Sequence, residues 1–223
     1  AAAAAAATAA TADEGVASGL ASTAASQASA AGTSVISATA EVAINRTSQT
    51  AALTTTIDNL TAGLGDDNFN SIVAAAGSTL TTGDTLDGNT GNDKLTITAS
   101  LTAALPISGF TTTSVETVQL NVIDGAAGAG HTATTNMLGS APASLIVTGS
   151  TTSGTPDIVL FNNVASTTAL TLSNTTNIDA TVNYNGAFLL GTGDTATLNV
   201  NGVVRTAVGD NNVTFASGLE SLT

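Results

Sequence analysis

The amino-acid sequence predicts a mainly β protein: a β-solenoid or β-sandwich-like region, preceded by an alanine-rich helical N-terminal segment. Three observations lead there. Short apolar runs alternate with polar residues at a period of two. Glycine, asparagine, aspartate and serine punctuate those runs. The first 62 residues differ in composition from everything after them. A period of two belongs to strands with one buried face, and the punctuating residues are the ones that turn a chain.

Residues 1–62 form the first expected unit, an assembly segment that is helical or extended. Its opening, "AAAAAAATAATADEGVASGLASTAASQASAAG", is alanine with serine and threonine. Alanine is the best helix former, so helix is expected, weakened at Gly15, Gly19 and Gly32. The stretch "EVAIN", 41–45, alternates and reads as a short strand. Leu53, Ile57, Leu60 and Leu64 then fall at i, i+4, i+7 and i+11, one face of a helix that Gly63 would stop. Three consecutive threonines, 54–56, make such a helix dependent on a partner surface.

Residues 63–223 form the second expected unit, all β. Eight runs carry the pattern: "KLTIT", "SVETVQLNV", "ASLIVTG", "DIVLFNN", "TALTLSN", "ATVNYNG", "ATLNVNG" and "NVTFASG". Val118, Leu120 and Val122 alternate, as do Leu170 with Leu172 and Leu198 with Val200. Pro106, Pro142 and Pro156 fall in connections. Residues 81–88 resemble 191–198, and 111–120 resemble 215–223, which suggests a duplicated unit.

Charge narrows the function. Sixteen acids against three bases leave a net −13, with Lys94, Arg46 and Arg205 the only cations. Such a surface repels nucleic acid and anionic lipid and attracts metal cations. Charged residues are only 9% of the chain, so its surface is built of threonine, serine, asparagine and glutamine. Cysteine is absent. No run of about 18 large apolar residues spans a membrane. This composition points to an extracellular, cell-surface protein of bacterial type.

Enzyme chemistry finds little footing. His131 is the only histidine and sits in a glycine-rich loop, "DGAAGAGHTATTN". There is no G-x-S-x-G elbow for a nucleophile and no zinc ligand set. Gly125, Gly128 and Gly130 lack the lysine and helix of a phosphate loop. Paired carboxylates for glycoside hydrolysis would lack aromatic platforms, since the chain has no tryptophan and one tyrosine. Glu116 and Glu220 read as structural residues or cation ligands. No enzymatic activity is expected.

One stretch carries chemistry: "TLTTGDTLDGNTGNDKLTI", 79–97. Asp84-Thr85-Leu86 and Asp93-Lys94-Leu95 lie nine residues apart. "GNTGNDKLT" matches the calcium-binding nonapeptide G-G-x-G-x-D-x-U-x at Gly88, Gly91, Asp93 and Leu95, and departs from it at Asn89. "GDDNF" repeats the relation at Gly65, Asp67 and Phe69. Glycines expose backbone carbonyls and aspartates add carboxylates, the hard oxygens that Ca2+ takes six to eight at a time. A regular β-roll would need ligands again at twice the repeat, where Thr102 and Thr111 stand; backwards, Asp66 is usable. One or two irregular sites near the start of the β region are therefore expected. The alternative is that the stretch is turn composition alone.

"NLTAGLGDDNFNS", "STLTTGDTLDGNTGNDKLTI" and "TTTSVETVQLNV" together resemble the calcium-dependent S-layer and S-layer-like, RTX-related surface proteins of Gram-negative bacteria, over about residues 60–122. The resemblance implies type I secretion, calcium-bound β-solenoid or sandwich-like modules, and assembly on the cell surface. It implies Asp84, Asp87, Asn89, Asn92 and Asp93 as metal ligands, with Asp66 and Asp67 next. The expected function is a calcium-stabilised structural protein that self-assembles as an S-layer lattice or an extracellular filament, with cell-surface polysaccharide as a further partner. The alternative is an adhesin or binding module of a large secreted RTX-type protein.

Overall fold

The computed structural model describes residues 22–30, 47–124, 130–150, 155–165, 168–187, 189, 193–204, 212–215, 219 and 221–223. Two units are present, Ala1–Asn45 and Arg46–Thr223. In the first, residues 22–30 form a helix, α1, exposed along its whole length. Alanine and serine favour it locally, and Ser26 Oγ donates to the Ser22 carbonyl at 3.0 Å. The alternating 41–45 stretch lies outside the described residues.

The second unit is a parallel β-solenoid of about five turns. Its strands in chain order are β1 (Thr50–Ala52), β2 (Asn59–Thr61), β3 (Asn68–Val73), β4 (Thr85–Asp87), β5 (Lys94–Leu101) and β6 (Leu105–Ile107). Then come β7 (Thr111–Thr113), β8 (Thr117–Asp124), β9 (Thr132–Asn136), β10 (Ser144–Ser150), β11 (Asp157–Val164) and β12 (Ala169–Thr176). The last are β13 (Ile178–Tyr184), β14 (Thr195–Ala196), β15 (Leu198–Asn201), β16 (Val213–Phe215) and β17 (Ser221–Leu222). One sheet stacks β1-β3-β5-β8-β10-β12-β15, a second β16-β13-β11-β9-β6, a third β2-β4-β7, and a short fourth β14-β17. A full rung visits the first sheet, the second and then the third side. Every strand pairing among the described residues is parallel. Asn59 pairs with Thr85 and Thr85 with Thr111, so these rungs are 26 residues long (85 − 59 and 111 − 85).

Alternation explains the core. In β5 every second residue is inward and buried: Leu95, Ile97, Ala99 and Leu101. In-register stacking then lines like residues up along the axis. Phe69, Leu95, Val118, Leu145, Leu170 and Leu198 form one inward column. Each buried aliphatic side chain in it contributes about 1.5–3 kcal/mol. Outward, amides and hydroxyls make ladders between rungs: Thr96 Oγ1 donates to Asn68 Oδ1 at 2.9 Å, and Asn163 Nδ2 to Asn136 Oδ1 at 2.8 Å.

All eight sequence-read β runs fall on strands. The helix expected over 53–64 does not form: β2 and the turn before it occupy that stretch. Asp58 accepts from Thr54 N (2.7 Å) and Thr54 Oγ1 (3.0 Å), closing a turn. Leu53 is buried while Ile57 is 62% exposed, so the four apolar residues share no buried face. The solenoid thus begins inside the segment expected to be separate from it.

Of the repeat read at 81–88 and 191–198, residues 191 and 192 lie outside the described residues; Gly83 and Gly193, at φ of 101° and 139°, precede β4 of the third sheet and β14 of the fourth. The other pair differs: Thr117 opens β8 in the seven-stranded sheet, whereas Ser221 opens β17 beside β14. Glu220 lies outside the described residues.

Candidate functional site

The 79–97 stretch is a corner of the solenoid. Asp84 stands immediately before β4 and Asp93 immediately before β5, so their nine-residue spacing is the length of one side of a rung. In each D-x-L unit the aspartate holds the corner, the middle residue faces outward, and Leu86 or Leu95 is buried.

The carboxylates accept from backbone N–H groups of the preceding rung. Asp67 N donates to Asp93 Oδ1 (2.7 Å) and Asp58 N to Asp84 Oδ1 (2.9 Å), each across 26 residues. Gln49 N donates to Asp67 Oδ1 at 2.6 Å, and Gly63 N to Asp67 Oδ2 at 2.9 Å. Asp93 N donates in turn to Glu116 Oε2 at 2.7 Å. Gln49, Asp67, Asp93 and Glu116 therefore form one column, each acid capping the rung before it. On the second sheet Asp157 does the same for His131 N at 2.7 Å, again across 26 residues. A corner breaks the regular ladder, and a buried N–H left unpaired there is costly. A carboxylate supplies the acceptor.

Asp84 is the most fully engaged. Thr81 donates both its N–H, to Oδ2 (2.6 Å), and its hydroxyl, to Oδ1 (3.0 Å). Gly83 N bonds Gly109 O at 2.8 Å, and Gly83 takes the left-handed φ that the turn demands. The glycines of the nonapeptide have equally local reasons. A Cβ on Gly88 would stand 2.0 Å from Ser114 O and 2.4 Å from Asp93 Oδ2; one on Gly91 would stand 2.2 Å from Gly65 O. Both positions are squeezed between neighbouring rungs.

The seven expected metal ligands divide between two corners. Asp66, Asp67, Asn92 and Asp93 gather on adjacent rungs before the seven-stranded sheet, with Asn92 N donating to Asp66 Oδ1 at 2.9 Å. Asp84 precedes β4 and Asp87 ends it, and Asp87 Oδ1 accepts from Asn89 N at 2.9 Å. Asn89 contributes a left-handed backbone, φ 65°. Among the described residues no three His, Cys, Asp or Glu side chains are grouped to hold an ion. One oxygen stands apart. Asp93 Oδ2 is buried and has no hydrogen-bond partner. Burial pushes the Asp93 carboxyl above its ordinary range; the Asp67 N–H opposes this, and the nearby charges of Glu116, Asp67 and Asp66 add to it.

The sequence reading passed over Asp58 and Asp157, which carry the same D-x-U signature (Asp58-Asn59-Leu60, Asp157-Ile158-Val159). It also passed over Thr81 and Ser140. Ser140 Oγ accepts from Thr112 N at 3.0 Å, closing the last strand of the third sheet where no strand follows. Beside it lies a cavity of about 580 Å³ reached by Ser114, Glu116, Leu138, Asn163 and Asn185. His131 packs its Nδ1 3.8 Å from Asp157 Oδ1. No protein-family model, curated protein or solved structure matches this chain.

Proposed function

We propose that this chain is a structural, self-assembling protein of the bacterial cell surface, a subunit of an S-layer or of an extracellular filament. In-register parallel stacking carries this reading. Each rung offers the next the same inward column and the same polar ladder, so an edge strand offers a second copy what it offers its own neighbour. Among the described residues the only strand that β1 pairs with is β3 and the only one that β15 pairs with is β12, Leu198 N of β15 also donating to Thr223 O at 2.9 Å. The acidic, cysteine-free, hydroxyl-rich composition supports an extracellular location. Electron microscopy and sedimentation test the reading. Sheets or filaments are expected, and Val200→Pro, at an exposed position of β15, is expected to reduce them while leaving the protomer folded. A folded protein that stays monomeric at all concentrations overturns it.

Calcium enters this reading through one atom. The unpartnered, buried Asp93 Oδ2 amid acidic neighbours supports a cation at that corner. A melting midpoint unchanged by chelator removes calcium from the proposal and leaves the hydrogen-bonded corners as the whole account. The second reading, an adhesin or binding module, is favoured by the cavity below β7. Saturable glycan or peptide binding by a monomer, lost on filling the cavity with Ala141→Phe, is its test.

A further inference from the structure

Three turns of the solenoid share one local geometry. Asp87 Oδ1 accepts from Asn89 N (2.9 Å), Asn136 Oδ1 from Leu138 N (3.2 Å), and Asn185 Oδ1 from Ala187 N (3.1 Å). In each, a side-chain carbonyl takes the N–H two residues on. They differ in the amide between. Gly88 N donates to Thr113 O at 2.9 Å, and Met137 N to Asn162 O at 2.8 Å. Gly186 N makes no hydrogen bond among the described residues. Gly186 is also exposed, and a Cβ there would meet nothing within 4 Å.

We propose that Asn185–Gly186 is a self-modifying site, at which the folded chain converts the asparagine into an acid. The Gly186 nitrogen attacks Asn185 Cγ. A C–N bond forms, the Cγ–Nδ2 bond breaks, and ammonia leaves with the proton that Gly186 N gives up. Water then opens the resulting succinimide at either carbonyl, giving aspartate or isoaspartate, so that asparagine plus water becomes an acid plus ammonia. The fold assists twice. The Ala187 N–H polarises the carbonyl under attack, and the attacking nitrogen has no competing acceptor among the described residues. At Asp87 and Asn136 that nitrogen is tied into the rung.

Asn201–Gly202, the other Asn-Gly pair, is held differently. Asn201 is the last residue of β15, paired with Ser173, and the Gly202 backbone is fixed at φ 67° with Asn174 Oδ1 packed 2.6 Å from where a Cβ would stand. The aspartate product keeps the turn, since its carboxylate still accepts from Ala187 N as Asp87 does from Asn89 N. It also adds a negative charge to the rim of the cavity that Glu116 and Ser114 line.

The test ages the folded full chain in mildly alkaline buffer and reads fragment masses at residues 136, 185 and 201. Exchange of –NH2 for –OH is expected first at Asn185, later at Asn201, and not at Asn136. Gly186→Ala, whose methyl group the turn has room for, is expected to lose most of it. In urea the two Asn-Gly pairs are expected to react alike. Equal rates at 185 and 201 in the folded chain overturn the proposal. So does an intact Asn185 over a period in which the urea-unfolded chain converts.

Discussion

The corner that leads into the seven-stranded sheet is built differently in the early rungs and in the later ones. Where the chain turns into the seven-stranded sheet, Asp67, Asp93 and Glu116 cap backbone N–H groups with carboxylates. One rung further Ala143 and then Thr168 stand where the acids stood: the backbone bonds Ser144 N to Glu116 O (2.9 Å) and Ala169 N to Ala143 O (3.1 Å) continue those of Lys94 N to Asp67 O and Thr117 N to Asp93 O, and Thr168 Oγ1 bonds Pro142 O (3.0 Å). Amide ladders such as Asn183 Nδ2 to Asn162 Oδ1 (2.7 Å) complete the later rungs. The fold needs an acceptor at each corner, and charge is one way to provide it. Acid caps at the entry to the seven-stranded sheet are thus confined to the early rungs, while the later rungs keep theirs on the second sheet, where Asp157 accepts from His131 N and Asp179 from Asn212 N, both at 2.7 Å.

Substitutions at an early acid corner and in the later amide ladder sharpen the contrast. Asp84→Ala removes the acceptor of three hydrogen bonds from a buried site, and a loss of about 3–5 kcal/mol is expected from the urea midpoint. In the amide ladder of the later rungs, Asn162→Ala within β11 removes one half-buried amide bond and is expected to cost about 1 kcal/mol or less. Equal losses would break the comparison. Gly88→Ala comes next, at about 2–3 kcal/mol, because backbone of the next rung occupies the methyl position. Gly186→Ala is expected to leave the midpoint unchanged. Ser140→Ala leaves Thr112 N unpaired and is expected to cost about 1–2 kcal/mol.

The smallest effect is the one that depends on pH. Asp93 holds its proton to higher pH when folded than when unfolded. Its contribution to stability therefore falls as pH rises from the ordinary carboxylate value through the raised one, and at neutral pH the ionised side chain is a burden. Asp93→Asn keeps an acceptor for Asp67 N and is expected to flatten that slope and raise the midpoint at neutral pH. If calcium occupies this corner, the same substitution instead lowers the midpoint in calcium and abolishes the response to chelator. Melts at several pH values, with and without chelator, separate the two outcomes.

Much of the molecule was legible locally. Alternation in "KLTIT" or "DIVLFNN" identifies a strand and its buried face, because successive side chains must point to opposite sides of a sheet. D-x-L with flanking glycines marks 79–97 as turns, and the nine-residue spacing is real. The sequence left undecided what that spacing measures. The meaning of the aspartates depends on a partner 26 residues away, Asp58 for Asp84 and Asp67 for Asp93, and no local pattern contains it. The same holds for Leu53, Ile57, Leu60 and Leu64, whose helical spacing lost to strand pairing with the next rung. By itself the sequence determined that the chain makes short strands joined by acidic, glycine-rich turns, since alternation and turn chemistry act within a few residues. Only the tertiary structure decided that those turns stack, that Gly88 and Gly91 are squeezed by Ser114 and Gly65, and that carboxylates read as cation ligands receive backbone N–H groups. Rung length and register are set by packing between segments distant in the chain.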